Sequence, residues 1–210
     1  MSPGALFTIA VGILVVIIWA LSQNYINPTD DQVDNSKNGM ADAYNIGIDT
    51  LIPYMQKLSK QESGMLQADW LLYTHFFLLA VTYHLAKLSP TKSNRITQQE
   101  IENFLFHAST HIFDLFDLEK GKATEKVKQA RFVLVGQILA AYYTNVEYFV
   151  KENSQNNDLW YAAIPLADNF KDSVIAPEAH IFFIFEKDTF PQQVADTVLK
   201  INKNISQVKA

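Results

Sequence analysis

The chain contains no cysteine, which removes disulfides, thiolate metal sites and cysteine nucleophiles and leaves the redox compartment open. Glycine and proline are scarce, seven of each in 210 residues, fewer than a many-turned β protein uses in its loops, so helix is favoured before any periodicity is read. Positive charge is outnumbered: the net charge is −5 and the sequence pI near 5.5, which argues against a nucleic-acid partner, whose binding depends on neutralising phosphates. G-x-S-x-G, a phosphate-binding loop and G-x-G-x-x-G are all missing, so nucleophilic hydrolases, P-loop enzymes and dinucleotide folds lose their usual support. No repeat of about 20–50 residues recurs, and the helix-turn-helix rhythm lacks the tetratricopeptide consensus positions.

What is present first is a run free of charge, opening on Leu6 and closing on Leu21 (LFTIAVGILVVIIWAL). A membrane-spanning helix needs about 20 mostly apolar residues, and residues 3–22 meet that length with no ionisable side chain. Trp19 and Tyr25 suit the exit interface. A cleaved signal peptide is the competing reading, since Ala20-Leu21-Ser22 offers small residues to a signal peptidase. Against it, nothing before Leu6 is Lys or Arg. All 17 basic residues lie beyond the run, the first being Lys37. One amine before the run against one distant lysine after it leans towards a domain on the non-cytoplasmic side.

Residues 24–38 are rich in Asn, Asp, Gln, Pro and Ser, a spacer that cannot bury enough surface to fold. Beyond it the composition changes. Hydrophobic residues make up 49% of the chain, with 14 Phe and 9 Tyr, enough for a sizeable core. The expected fold class is all-α: a single N-terminal transmembrane helix (1–23), a polar linker (24–38) and a multi-helix, bundle-like domain (39–210).

Within that domain the pattern predicts a helix over about 41–60, kinked or divided at Pro53, and then the most apolar helix, 66–88, stopped by Ser89-Pro90. Apolar residues lie all round this second helix, as in a central helix covered on several sides. A second membrane span is its rival reading, disfavoured because Asp69, His75, His84 and Lys87 are costly in lipid. Thr97-Gln98-Gln99-Glu100 reads as a capping box. Ile101, Leu105, Ala108, Ile112 and Leu115 then form one apolar stripe on a helix ending near Gly121. The next helix, about 124–151, repeats the device with Phe132, Val135, Leu139, Tyr142, Val146 and Phe149. A short helix over 159–169 contains Pro165. The run 179–185 (AHIFFIF) is compatible with buried helix or strand and is read as helix. A final helix is opened by Thr189-Phe190-Pro191-Gln192 and carries Val194, Val198, Ile201, Ile205 and Val208 on one stripe.

The sharpest chemical lead is His107, His111 and Asp114, at i, i+4 and i+7 along one helix edge, where two imidazoles and a carboxylate could ligate zinc or a non-haem metal. The plainer reading is two histidines satisfying polar neighbours at the core boundary, since the HExxH pattern is absent. His75 and His84 fall on opposite faces of their helix and read as core histidines bonded to a backbone carbonyl or a tyrosine. Lys120, Lys122, Lys126, Lys128 and Arg131 cluster around a helix start. They read as a solvated face, or as a contact for anionic lipid or an acidic partner if the domain is cytoplasmic.

Two functions remain in view. One is a membrane-anchored interaction or assembly subunit of a cell-envelope complex of secretion or transport type, working through protein partners with no cofactor, no catalytic residue and no nucleic acid. The other is a helical bundle binding a metal or apolar ligand through a phenylalanine-lined pocket and the His107/His111/Asp114 edge.

Overall fold

The computed structural model describes residues 39–61, 70–88, 96–115, 125–155, 157–174 and 189–207. Six helices and no strands occur among them: α1 Gly39–Gln61, α2 Trp70–Leu88, α3 Gln98–Leu115, α4 Glu125–Ser154, α5 Leu159–Val174 and α6 Thr189–Gln207. The proposed anchor, the spacer and the ambiguous run 179–185 lie outside the described residues. These helices fall into two units: residues 125–134 of α4 belong to one, and α4 from Val135 onward belongs with the other five helices to the second.

In the larger unit, α2 is the centre. It packs on α1, α3, α5 and α6, and Phe76 through Val81 are all buried, five of these six with no exposed surface. By length and composition α2 is apolar enough to cross a membrane. A helix at the middle of a packed core meets the same description, and protein side chains cover α2 here. One aromatic chain runs through the centre. Phe77 of α2 stacks on Phe170 of α5 with centroids 4.5 Å apart and meets Tyr142 of α4 edge-on at 5.2 Å. Phe170 in turn stacks on Phe190 of α6 at 5.8 Å, which lies 6.3 Å from Tyr54 of α1. Five helices thus contribute one ring each to a continuous contact, an arrangement stabilising beyond simple burial.

Two of the helices open on side-chain caps. At the start of α3 the expected capping box is present: the Glu100 amide donates to the Thr97 hydroxyl (3.2 Å) and the Thr97 amide to the Glu100 carboxylate (2.6 Å). Asp158 caps α5, its carboxylate accepting from the Trp160 amide at 3.0 Å. α1 runs continuously through Pro53, whose exposed position lets water reach the carbonyl that proline leaves without a helical donor. α5 likewise runs through Pro165 as far as Val174, five residues past its expected end. Gly47 marks the closest approach of α1 to its neighbours. A methyl there would stand 2.8 Å from Leu78 Cδ2 and 2.9 Å from Ile201 Cδ1, both side chains fully buried.

The stripes are largely as expected. In α6, Val194, Val198, Ile201 and Ile205 are completely buried, while Val208 lies outside the described residues. In α4, Val135, Tyr142, Val146 and Phe149 are buried and Leu139 is half-buried, but Phe132 is exposed. In α3, Ile101 and Ile112 are buried, whereas Leu115 is 50% exposed and Phe104 and Phe113 are buried instead. The inner face of α3 is rotated towards two aromatic rings, each making an edge contact, Phe104 with Tyr44 and Phe113 with Phe76. Large rings in reach of partners outweigh the regular spacing of smaller aliphatics.

Candidate functional site

Two histidines of α2 sit inside the protein. His75, 5% exposed, shares a hydrogen bond of 2.9 Å with the Tyr44 hydroxyl of α1, in which either group can donate. Burial, helped by the nearby charge of His111, lowers the His75 pKa to about 4. Burial also pushes the Tyr44 hydroxyl well above its ordinary range. Both groups are therefore neutral near pH 7, and their bond is one between uncharged partners.

His84, also 5% exposed, donates from Nε2 to the carbonyl of Leu139 in α4 at 2.8 Å. A carbonyl only accepts, so the proton resides on Nε2, and Nδ1 is left buried without a hydrogen-bond partner. Burial lowers the His84 pKa, Lys87 adding to the effect and the Leu139 bond opposing it. The imidazole ring also meets Tyr83 and Tyr143 edge-on at 5.1 and 5.4 Å. The two α2 histidines thus take the partners expected of core histidines, one a tyrosine and one a backbone carbonyl.

α3 presents the other pair. His107, His111 and Asp114 are all exposed on its outer side, and the His107 ring meets Phe106 edge-on at 5.4 Å. Among the described residues no three His, Asp or Glu side chains come together to hold a metal ion. His107, His111 and Asp114 share a helix edge without converging, so a metal there would need ligands from water or a second molecule to complete its shell.

An open groove of about 630 Å³ lies between Leu88 of α2 and Thr144, Glu147, Tyr148 and Lys151 of α4. Among the described residues, no phenylalanine and no histidine lines it. The phenylalanines go instead to packing: Phe77, Phe149 and Phe170 are among the largest fully buried side chains. Tyr142, beside Phe77, has its hydroxyl pushed up to about 12 by burial, partly offset by its bond with Ser173.

Comparison with protein-family models, with curated proteins and with solved structures finds no match in any of the three.

Sequence reasoning did not single out Tyr44, which lies 31 residues from His75, or the Asp158 cap. The second was legible: Asp immediately before an apolar helical run is an N-cap pattern. The first was not, because pairing across two helices leaves no mark in local spacing.

Proposed function

We propose that the protein is a membrane-anchored helical assembly subunit of a cell-envelope complex, held by residues 6–21, with its folded domain on the non-cytoplasmic side and acting through protein–protein contacts. The supporting observation lies on α3, where Phe106 and Leu115 stand 54% and 50% exposed while Ile112, between them in sequence, is completely buried. Nine residues apart, the two lie on opposite sides of α3, so they are two separate apolar contacts left outside a core that already has Phe104 and Phe113 packed into it, each available to a partner. A tether adds effective concentration, so modest contacts suffice for assembly near a membrane.

The test is crosslinking in intact membranes followed by purification in mild detergent. Partners in stoichiometric amount are expected, with crosslinks reduced by Phe106→Asp and Leu115→Asp at unchanged thermal stability. A protein that runs alone at monomer mass in gentle detergent, with no crosslinks to lose, overturns the proposal. Protease cleavage within residues 24–38 from the outer face alone is the expected result for sidedness.

A further inference from the structure

The outer side of α4 carries little charge. From Val135 to Val150 the only Asp, Glu, Lys or Arg is Glu147, although Gln137, Ala140, Ala141, Tyr143, Thr144 and Tyr148 all stand exposed. A helix face meant for water ordinarily carries charged side chains. The groove beside Leu88 occupies the end of this face, and every residue lining it belongs to the larger unit.

The α4 residues of that groove are placed symmetrically about position 149. Thr144 and Ser154 stand five residues to either side, Glu147 and Lys151 two, and Tyr148 and Val150 one. Any helix face has a spacing that reads alike in both directions, but the chemistry of the matched positions need not agree. Here it does: two hydroxyls match, an acid matches a base, and an aromatic ring matches an apolar side chain. At about 100° per residue, Tyr148 and Val150 fall on opposite rims of the groove. Tyr148 is 46% exposed on one rim, whereas Val150 and Leu88 are half-buried against the core on the other. A glutamate and a lysine at i and i+4 can close on each other within one helix. The Glu147 carboxylate instead accepts from the Tyr143 hydroxyl at 3.1 Å, and Lys151 is exposed.

We propose that this groove docks a second copy of the chain, the two α4 helices lying antiparallel about a two-fold axis level with residue 149. In such a contact each residue meets the partner's residue at the matched position, and the reverse contact follows by symmetry. Glu147 meets the partner's Lys151 and Lys151 meets the partner's Glu147, so the unlike charge pair forms twice. Tyr148 lies on the partner's Val150 and Leu88, an exposed aromatic ring on an apolar floor. Thr144 faces the partner's Ser154. A different protein would need these three chemistries in the same order and register; a second copy has them already. The surface is separate from Phe106 and Leu115 of α3, so self-docking goes beyond the assembly contacts proposed there and does not depend on them.

The lack of native cysteine makes the register testable in the full-length chain in mild detergent. Thr144→Cys and Ser154→Cys are expected to give a disulfide-linked dimer on oxidation when mixed and little when alone. The axis brings the matched positions face to face but separates each from its own counterpart by ten residues of helix, about 15 Å, beyond the roughly 7 Å that a disulfide spans between Cα atoms. Glu147→Lys or Lys151→Glu alone sets like charges against each other twice and should weaken self-association about tenfold in sedimentation equilibrium. The double variant should restore it. An equimolar mixture of the two single variants should restore it too, a rescue that misfolded chains cannot show.

The proposal is overturned by a chain that sediments as a monomer at every concentration reached, by Thr144→Cys linking to itself as readily as to Ser154→Cys, or by a dimer that both charge variants leave intact. Capture of a different protein by Thr144→Cys in intact membranes, with no mixed disulfide, would assign the groove to that protein and overturn it as well. Phe106→Asp and Leu115→Asp are expected to leave the mixed disulfide unchanged, so failure of the α3 contacts and failure of the α4 contact are read separately.

Discussion

Two helices of the larger unit carry two histidines each, and they use them in opposite ways. On α2, His75 and His84 are both 5% exposed and each is bonded to another helix, to Tyr44 of α1 and to the Leu139 carbonyl of α4. On α3, His107 and His111 are exposed and lie on the outer edge. The i, i+4 pair has the spacing usually associated with ligands, yet the pair nine residues apart is the one locked into specific bonds. Spacing along one helix says which side chains share a face; what covers that face decides whether a histidine becomes a structural pin or a surface group.

The comparison implies that the α2 side of the molecule holds most of the stability. The strongest way to break it is to remove the ring that joins three helices. Phe77→Ala deletes a fully buried side chain stacked on Phe170 and edge-on to Tyr142. It is expected to cost about 3–5 kcal/mol in unfolding free energy, measured by urea denaturation. A loss below about 1 kcal/mol would mean that α2 is not the centre of the fold.

A smaller effect follows from acid. The His75 pKa is lowered from 6.5 to about 4 in the folded protein, so below pH 6.5 the unfolded chain binds a proton that the folded chain refuses. The associated stability is fully present above pH 6.5 and is lost as the pH falls towards 4. Allowing for partial solvent screening, about 1–2 kcal/mol is expected from His75. His84, lowered by burial as well, adds in the same direction. His75→Gln retains a polar group for Tyr44 and removes the titration. Its stability profile between pH 7 and 4 should therefore be flatter than that of the parent, and an unchanged slope would show that His75 is not the group responsible.

Much of this division was readable beforehand and some of it was not. The capping box at Thr97 to Glu100, the α6 stripe and the assignment of α2 as the central helix all rest on local rules of hydrogen bonding and period, and those rules act within one helix. The exchange of Leu115 for Phe104 and Phe113 in the α3 interface depends on Tyr44 and Phe76 of other helices. The Tyr44–His75 bond likewise spans 31 residues, and no pattern inside α1 or α2 encodes it. Pro53 and Pro165 mislead for a related reason. A proline removes one hydrogen bond, but a helix already packed on its neighbours continues through the gap.

The smallest expected effect tests the other half of the comparison. His107→Ala combined with His111→Ala removes two exposed imidazoles and should change stability by no more than about 0.5 kcal/mol. The double variant should also match the parent in metal content and in melting temperature with and without added zinc. A parent that is stabilised by zinc while the variant is not would assign the α3 edge to metal binding and would end the contrast between the two helices. One trace of coupling is expected even so. The charge of His111 helps to depress His75, so His111→Ala narrows the gap between the folded and unfolded pKa of His75 and should move the acid limb of the stability profile slightly to lower pH. His107→Ala alone, with no such influence on His75, should leave the limb where it is. A shift with both single variants would mean that the whole edge of α3, not His111 alone, is felt inside the core.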